Sequence, residues 1–444
     1  MLFRRKIYDK LLKWKNTSEG STALLIEGAR RVGKSTVAEA FAKKEYKSYI
    51  LIDFAFAPQH IQDLFKDLSD LDYFFLQLQL QYGVKLENRK SLIIFDEIQF
   101  NPLARQAVKL LVKDGRYDYI ETGSLISIKK NIQNILLPSE EKRIEMNPMD
   151  FEEFLWATGD ETTAELIQMA YEKRIPLGEN QNRNMMRKFR LYMLVGGMPQ
   201  AVRAYIDYNN LEMVDEVKRD ILQLYMNDFF KIDSTGKISS LYSSIPSELN
   251  KHGRGYQISS VLPNERQNTV EKEISELIAS KTVIPAYNVL DPSSGLSYMY
   301  SSNKFRLYLS DTGLLVTLMF MDKDFTDNTI YAKLLADKLP VNLGLIYENV
   351  VAQILTAKGN RPFYHTFTDK DKKRNYEIDF LLPENNGKLS PIEVKSSGYK
   401  AHKSIDLFAE KYSARIERKI LVYTKDLKKE KDMLHIPVYM MQWI

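Results

Sequence analysis

The 444-residue chain contains no cysteine, and that absence removes disulfides, iron–sulfur clusters, thiolate zinc sites and cysteine nucleophiles together. Histidine is nearly as scarce. His60, His252, His365, His402 and His435 are scattered without metal-ligand spacing, which argues against zinc catalysis and a serine–histidine triad. Long apolar runs are missing too. The longest, at 314–321, falls far short of the roughly 20 residues that span a bilayer. The first ten residues have no apolar signal core, so a cytoplasmic protein with no membrane partner is expected. Nor does charge of one sign dominate: 63 basic and 58 acidic residues leave +5, which permits a nucleic-acid partner without requiring one.

What is present is the composition of a folded protein, 44% hydrophobic and 11% aromatic. At roughly 100–200 residues per domain, that is chain enough for two to four. Residues 1–15 read as a short basic amphipathic helix. Short apolar runs at 24–26, 49–53, 92–95 and 119–121 then alternate with helical stretches, the pattern of a buried parallel sheet. Past Pro148 helical periodicity continues to about residue 230, broken at Gly196-Gly197-Met198-Pro199. Residues 240–290 read as helices followed by two strands. A new α/β unit starts at 339, with a helix at 344–356, strands at 363–366, 376–382 and 390–395, a helix at 401–412, and closing strands at 419–423 and 438–440. Four segments are expected: 1–147, 148–238, 239–303 and 304–444.

The sharpest motif is Gly28-Ala29-Arg30-Arg31-Val32-Gly33-Lys34-Ser35, which fits G-x-x-x-x-G-K-[ST] between an expected strand and an expected helix. Gly28 and Gly33 let the backbone wrap a phosphate, so that N–H groups and a helix N-terminus face negative charge. Lys34 would reach the β/γ-phosphates of ATP, and Ser35 would place its hydroxyl on Mg2+; Arg30 and Thr36 flank this cofactor-binding set. Asp96 and Glu97 end the apolar run at 92–95. Asp96 suits a Mg2+ contact, and Glu97 is placed to polarise an attacking water. The next strand ends in Thr122-Gly123-Ser124, where Thr122 or Ser124 would sense the γ-phosphate or position the water.

Taken with Pro148-Met149-Asp150-Phe151, Gly196-Gly197-Met198-Pro199, Ser310-Asp311-Thr312-Gly313-Leu314 and Ile392-Glu393-Val394-Lys395, these pieces occur in an order that covers nearly the whole chain. The sequence resembles the bacterial and archaeal P-loop ATPases of the AAA+ superfamily that carry a C-terminal nuclease-like domain. The resemblance implies an α/β multidomain fold. Its parts are a P-loop ATPase parallel sheet, a helical lid, a winged-helix-like segment and a C-terminal restriction-endonuclease-like α/β domain. It also implies that Arg143 is an arginine sensor or finger, that an oligomer is open, and that DNA or a protein is a partner.

Residues 258–263 followed by 267–281 have the cadence of a helix-turn-helix, with a wing at 283–289 and 296–300. Yet the second helix carries Glu271, Glu273 and Glu276 against Lys272 and Lys281, so protein contact is at least as good a use as DNA reading. In the C-terminal segment, Asp379 lies thirteen intervening residues before Glu393, and Glu393 and Lys395 share one face of their strand. Two carboxylates and a lysine are equipment for metal-assisted phosphodiester hydrolysis. By resemblance to PD-(D/E)xK nucleases, Glu348 would be a fourth member, while Glu377 shares the face of Asp379 and would compete as ligand. A retained but inactive nuclease fold, with Glu393 and Lys395 forming a structural ion pair, is the alternative.

Overall fold

The computed structural model describes residues 2–123, 139–251, 255–322, 328–336, 344–369, 374–430 and 432–444. The chain divides into two compact units, Met1–Asn147 with Ala279–Lys281, and Pro148–Ile278 with Thr282–Ile444.

The first unit is built on a five-stranded sheet of β1 (Ala23–Glu27), β2 (Ser48–Asp53), β3 (Ser91–Asp96), β4 (Asp118–Thr122) and β5 (Glu141–Glu145). The order is β2-β3-β4-β1-β5, and every neighbouring pair is parallel. β3 and β4 are buried at every residue and β1 at all but Glu27, as strands covered on both faces must be. The helix Lys34–Glu45 turns Val37, Ala38, Phe41 and Ala42 inward. Phe65 anchors an aromatic cluster, with ring centroids 5.5, 5.2 and 5.7 Å from Phe54, Phe74 and Phe95. Such edge-on contacts add to what area burial alone gives. Because the strands run one way, Glu27, Asp96 and Thr122 finish at one sheet edge, where open α/β sheets bind ligands. The sequence pattern carries no sign of β5: as the last strand in the order it stays largely polar, Glu-Lys-Arg-Ile-Glu.

The second unit opens with the helices Phe151–Ala157, Thr163–Glu172, Glu179–Val195, Pro199–Tyr208 and Leu211–Ile232. A capping box starts the first, Asp150 accepting from the Glu153 amide at 2.9 Å and Glu153 returning the bond at 3.1 Å. Two sheets follow. β6 (Val283–Val289), β7 (Tyr300–Leu309), β8 (Phe363–Asp369) and β9 (Arg374–Ile378) form one in the order β7-β6-β8-β9. β10 (Phe380–Pro383), β11 (Leu389–Val394), β12 (Lys419–Tyr423), β13 (Lys428–Glu430) and β14 (Met433–Pro437) form the other in the order β10-β11-β12-β14-β13.

Three expectations need correction. The strand expected at 376–382 is two, β9 and β10, broken at Asp379 and belonging to different sheets. The closing strand lies at Met433–Pro437, not 438–440; Pro437 has no N–H to continue the ladder, and Val438–Trp443 winds into a 3-10 helix. The boundary at 303/304 falls inside β7, whose hairpin partner β6 also pairs in parallel with β8, so 239–303 does not fold apart from 304–444. Among the described residues no helix is long and apolar enough to cross a membrane.

Candidate functional site

From Glu27 the chain turns through residues 28–33 into the helix Lys34–Glu45. Arg31 (φ 70°) and Gly33 (φ 98°) occupy the left-handed region, the kind of backbone curl from which anion-binding turns are built. The space beside Gly28 is closed to a side chain, since a Cβ there would lie 2.3 Å from the Met146 carbonyl oxygen. Lys34 is 7% exposed. Its Nζ donates to the carbonyls of Gly28 at 3.1 Å and Ala29 at 3.0 Å.

Asp96 Oδ1 is the meeting point of three elements. Ser35 Oγ donates to it at 2.7 Å from the helix, and Thr122 Oγ1 donates to the same oxygen from β4. A hydroxyl and a carboxylate so placed are hard oxygen donors, the set that fits Mg2+. Glu97, the next residue, sits in the left-handed region at φ 51° and ψ 46° without being glycine. A backbone held there costs about 1–3 kcal/mol and persists where the surroundings impose it. Buried Gln99 donates its Nε2 to the Glu97 carboxylate. That contact was not anticipated, although a polar amide two residues beyond a strand-ending turn is its sequence signal.

The other expected residues are distributed as follows. Arg30 is half-buried in the loop, and Thr36 is exposed in the first turn of the helix Lys34–Glu45. Ser124 lies outside the described residues. Arg143 stands on β5 opposite Leu25, its side chain 46% exposed, with ion pairs to Glu141 at 2.7 Å and Glu27 at 3.5 Å. Burial raises the Glu27 carboxyl, and Arg143 opposes that.

Burial pushes the Lys34 ammonium down to about 8, opposed by Glu97 and Asp96 and assisted by Arg30. A lysine that is cationic below that value and neutral above it must take up a proton to meet phosphate at alkaline pH. ATP affinity is therefore expected to fall above pH 8 by up to about tenfold per unit. In Lys34→Arg, cationic throughout, the slope should vanish. Titrations from pH 7 to 9 measure both.

In the second unit a cavity of about 480 Å³ is lined by Arg306, Glu348, Glu377, Asp379, Glu393 and Lys395, among others. Glu348 comes from the helix Gly344–Ala357, Glu393 from β11, and Lys395 from the residue after next. Asp379, at the break between two sheets, accepts from the Val394 amide at 2.7 Å. Burial, then repulsion from Glu348 and Glu377, holds its carboxyl well above the usual range. Lys395 pairs with Glu393 at 2.8 Å. The four residues named from the sequence thus share one cavity. Arg306, of β7, was not anticipated there. It pairs with Glu377, which the sequence had marked as a competing ligand, and with Glu348 at 3.6 Å. Among the described residues no group of three or more His, Asp or Glu side chains is arranged to hold a metal ion.

Comparison with known proteins agrees with the first unit and is silent on the activity of the second. Residues 20–155 match a family model described as an AAA domain. Residues 186–324 and 343–442 match two models described as domains of unknown function, DUF8612 and DUF4143. No curated protein matches. Among solved structures, a Walker-type ATPase of Pyrococcus abyssi is similar at 15% identity and TM-score 0.43, over 72% of this chain and 96% of that one. The Orc1 protein of Aeropyrum pernix, solved in complex with DNA, is similar at 11% identity and TM-score 0.29, over 76% and 93%. The RuvB Holliday junction branch migration motor of Thermotoga maritima is similar at 12% identity and TM-score 0.28, over 63% and 89%. Residues 20–155 are an AAA domain, and they carry the P-loop motif at 28–35.

Proposed function

We propose that the first unit binds ATP with Mg2+ and hydrolyses it to ADP and phosphate. The observation that carries this reading is the junction at Asp96, where hydroxyls from the phosphate-loop helix and from β4 meet one carboxylate oxygen. The loop N–H groups and the helix N-terminus would receive the phosphates, and Lys34 would turn its ammonium from the loop carbonyls to the β/γ-phosphates. Ser35 and Asp96 would hold the Mg2+, which when bound supplies charge that polarises the phosphate oxygens. Glu97 would orient the attacking water and take its proton as the water oxygen bonds to the γ-phosphorus and the bridging oxygen leaves with ADP. Thr122 would fix Asp96 and, with Ser124, report on the γ-phosphate. Arg143, Arg30 and Thr36 complete the set, Arg143 as an arginine sensor. Phosphate release by the full chain tests the reading: Lys34→Ala should lose it, and a Lys34→Ala protein working at wild-type rate would reject the site.

For the second unit the notion of a nuclease-like fold acting on DNA competes with that of a docking module without chemistry, moved by nucleotide state. We favour docking. Lys395 is tied to Glu393 and Arg306 to Glu348 and Glu377, and the helix Glu271–Ala279 is acidic in its first turn, which suits protein contact better than a duplex. In this reading 148–238 serves as the helical lid, and the helix Glu271–Ala279 offers the protein-contact surface.

A further inference from the structure

We infer that Arg306 is the resident cation of the C-terminal acid cluster and fills the position where a divalent metal ion would otherwise sit. Glu348, Glu377, Asp379 and Glu393 all line the cavity and come from a helix, a strand, a sheet junction and a second strand. Like charges gathered out of water repel strongly, and such a convergence is relieved by protonation of one acid, as the raised Asp379 carboxyl indicates, and by positive charge among the others. Lys395 supplies one charge at the Glu393 end. At the other end the guanidinium of Arg306, 7% exposed, bridges Glu377 and Glu348. Its far face lies over the Tyr364 ring, 4.8 Å from the centroid, and Tyr308 donates to Glu348 at 3.3 Å, so both partners of the bridge are held from behind.

This arrangement does not fit a metal ion. To gather Glu348 with Asp379 and Glu393, an ion would have to draw Glu348 from Arg306, leaving the guanidinium only Glu377, and would set a second positive charge beside a buried cation, which is unfavourable. A lysine in that place could shed its proton and make room. An arginine cannot at any accessible pH, so the exclusion holds across the pH range. Arg306 therefore does for the cluster what a divalent ion does elsewhere, neutralising it and fixing its geometry, without the Lewis acidity that activates water. The inference concerns the second unit alone and stands whether or not the first unit hydrolyses ATP.

The test counts bound Mn2+ on the full chain without nucleotide, by the loss of the free-ion paramagnetic resonance signal. Wild type and Asp379→Asn should bind equally. Arg306→Gln should bind one more ion per chain, and Arg306→Gln with Asp379→Asn should lose that ion again. A wild-type ion that Asp379→Asn abolishes would overturn the inference, and so would a folded Arg306→Gln protein that gains none. If Arg306→Gln does not fold, the wild-type against Asp379→Asn comparison decides alone, equal binding supporting the inference and a lost ion defeating it.

Discussion

Glu97→Gln is expected to bind ATP within a few-fold of wild type and to hydrolyse it roughly 10²–10⁴-fold more slowly, the range over which a positioned general base acts. The substitution keeps shape and hydrogen-bonding reach. An amide oxygen at position 97 still accepts from Gln99 Nε2, so the left-handed turn after β3 has no reason to relax. Asp96, Ser35 and Thr122 keep their shared contact, and with it the ion-binding end of the site. Only basicity is lost, because an amide does not accept a proton near neutral pH. Nucleotide titration beside phosphate release separates the two effects. Hydrolysis by Glu97→Gln at the wild-type rate would remove Glu97 from the mechanism, and loss of binding would make its role structural.

The two sites differed in how plainly the sequence announced them, and the reason is chain separation. The phosphate loop is local: residues 28–35 are contiguous, and the turn geometry that binds anions is written in the glycines themselves. Asp96 and Thr122 were readable because each ends an apolar strand, and parallel strands deliver such ends to one edge. The bend that places Glu97 was not, since a left-handed glutamate leaves no compositional trace. In the second unit the acids were found by spacing, but their partner was not. Arg306 and Glu377 are 71 positions apart and meet only because β7 and β9 join the same sheet through β6 and β8. The break at Asp379 was missed for a related cause. An alternating run reads as one strand whether or not the chain changes sheets within it.

Gly196→Ala and Asp311→Ala are each expected to destabilise the second unit by at least about 1–3 kcal/mol, the cost of forcing a side chain into a closed left-handed position in the first case and of leaving buried amides without their acceptor in the second. These residues lie in two motifs, Gly196-Gly197-Met198-Pro199 and Ser310-Asp311-Thr312-Gly313-Leu314, that the nucleotide site does not use. The structure places them against each other. Asp311, fully buried, accepts from the Gly197 amide at 2.5 Å and the Leu314 amide at 2.9 Å. Lys218, also fully buried, donates to the Leu194 carbonyl at 2.7 Å and the Gly313 carbonyl at 3.3 Å, closing the network from the helix Leu211–Ile232. Gly196 has φ 84°, and a Cβ there would stand 2.3 Å from Asp311 Oδ1, so alanine is strained in its backbone and collides with the carboxylate. Asp311→Ala instead leaves two buried amides without their acceptor and reduces the negative charge facing Lys218. Because both substitutions break one contact, the double variant should lose clearly less than the sum of the two. Urea unfolding of the full chain measures all three. Additive losses would mean that the two motifs act separately, and a change within about 0.5 kcal/mol, the level of an ordinary surface substitution, would show that the network carries no stability.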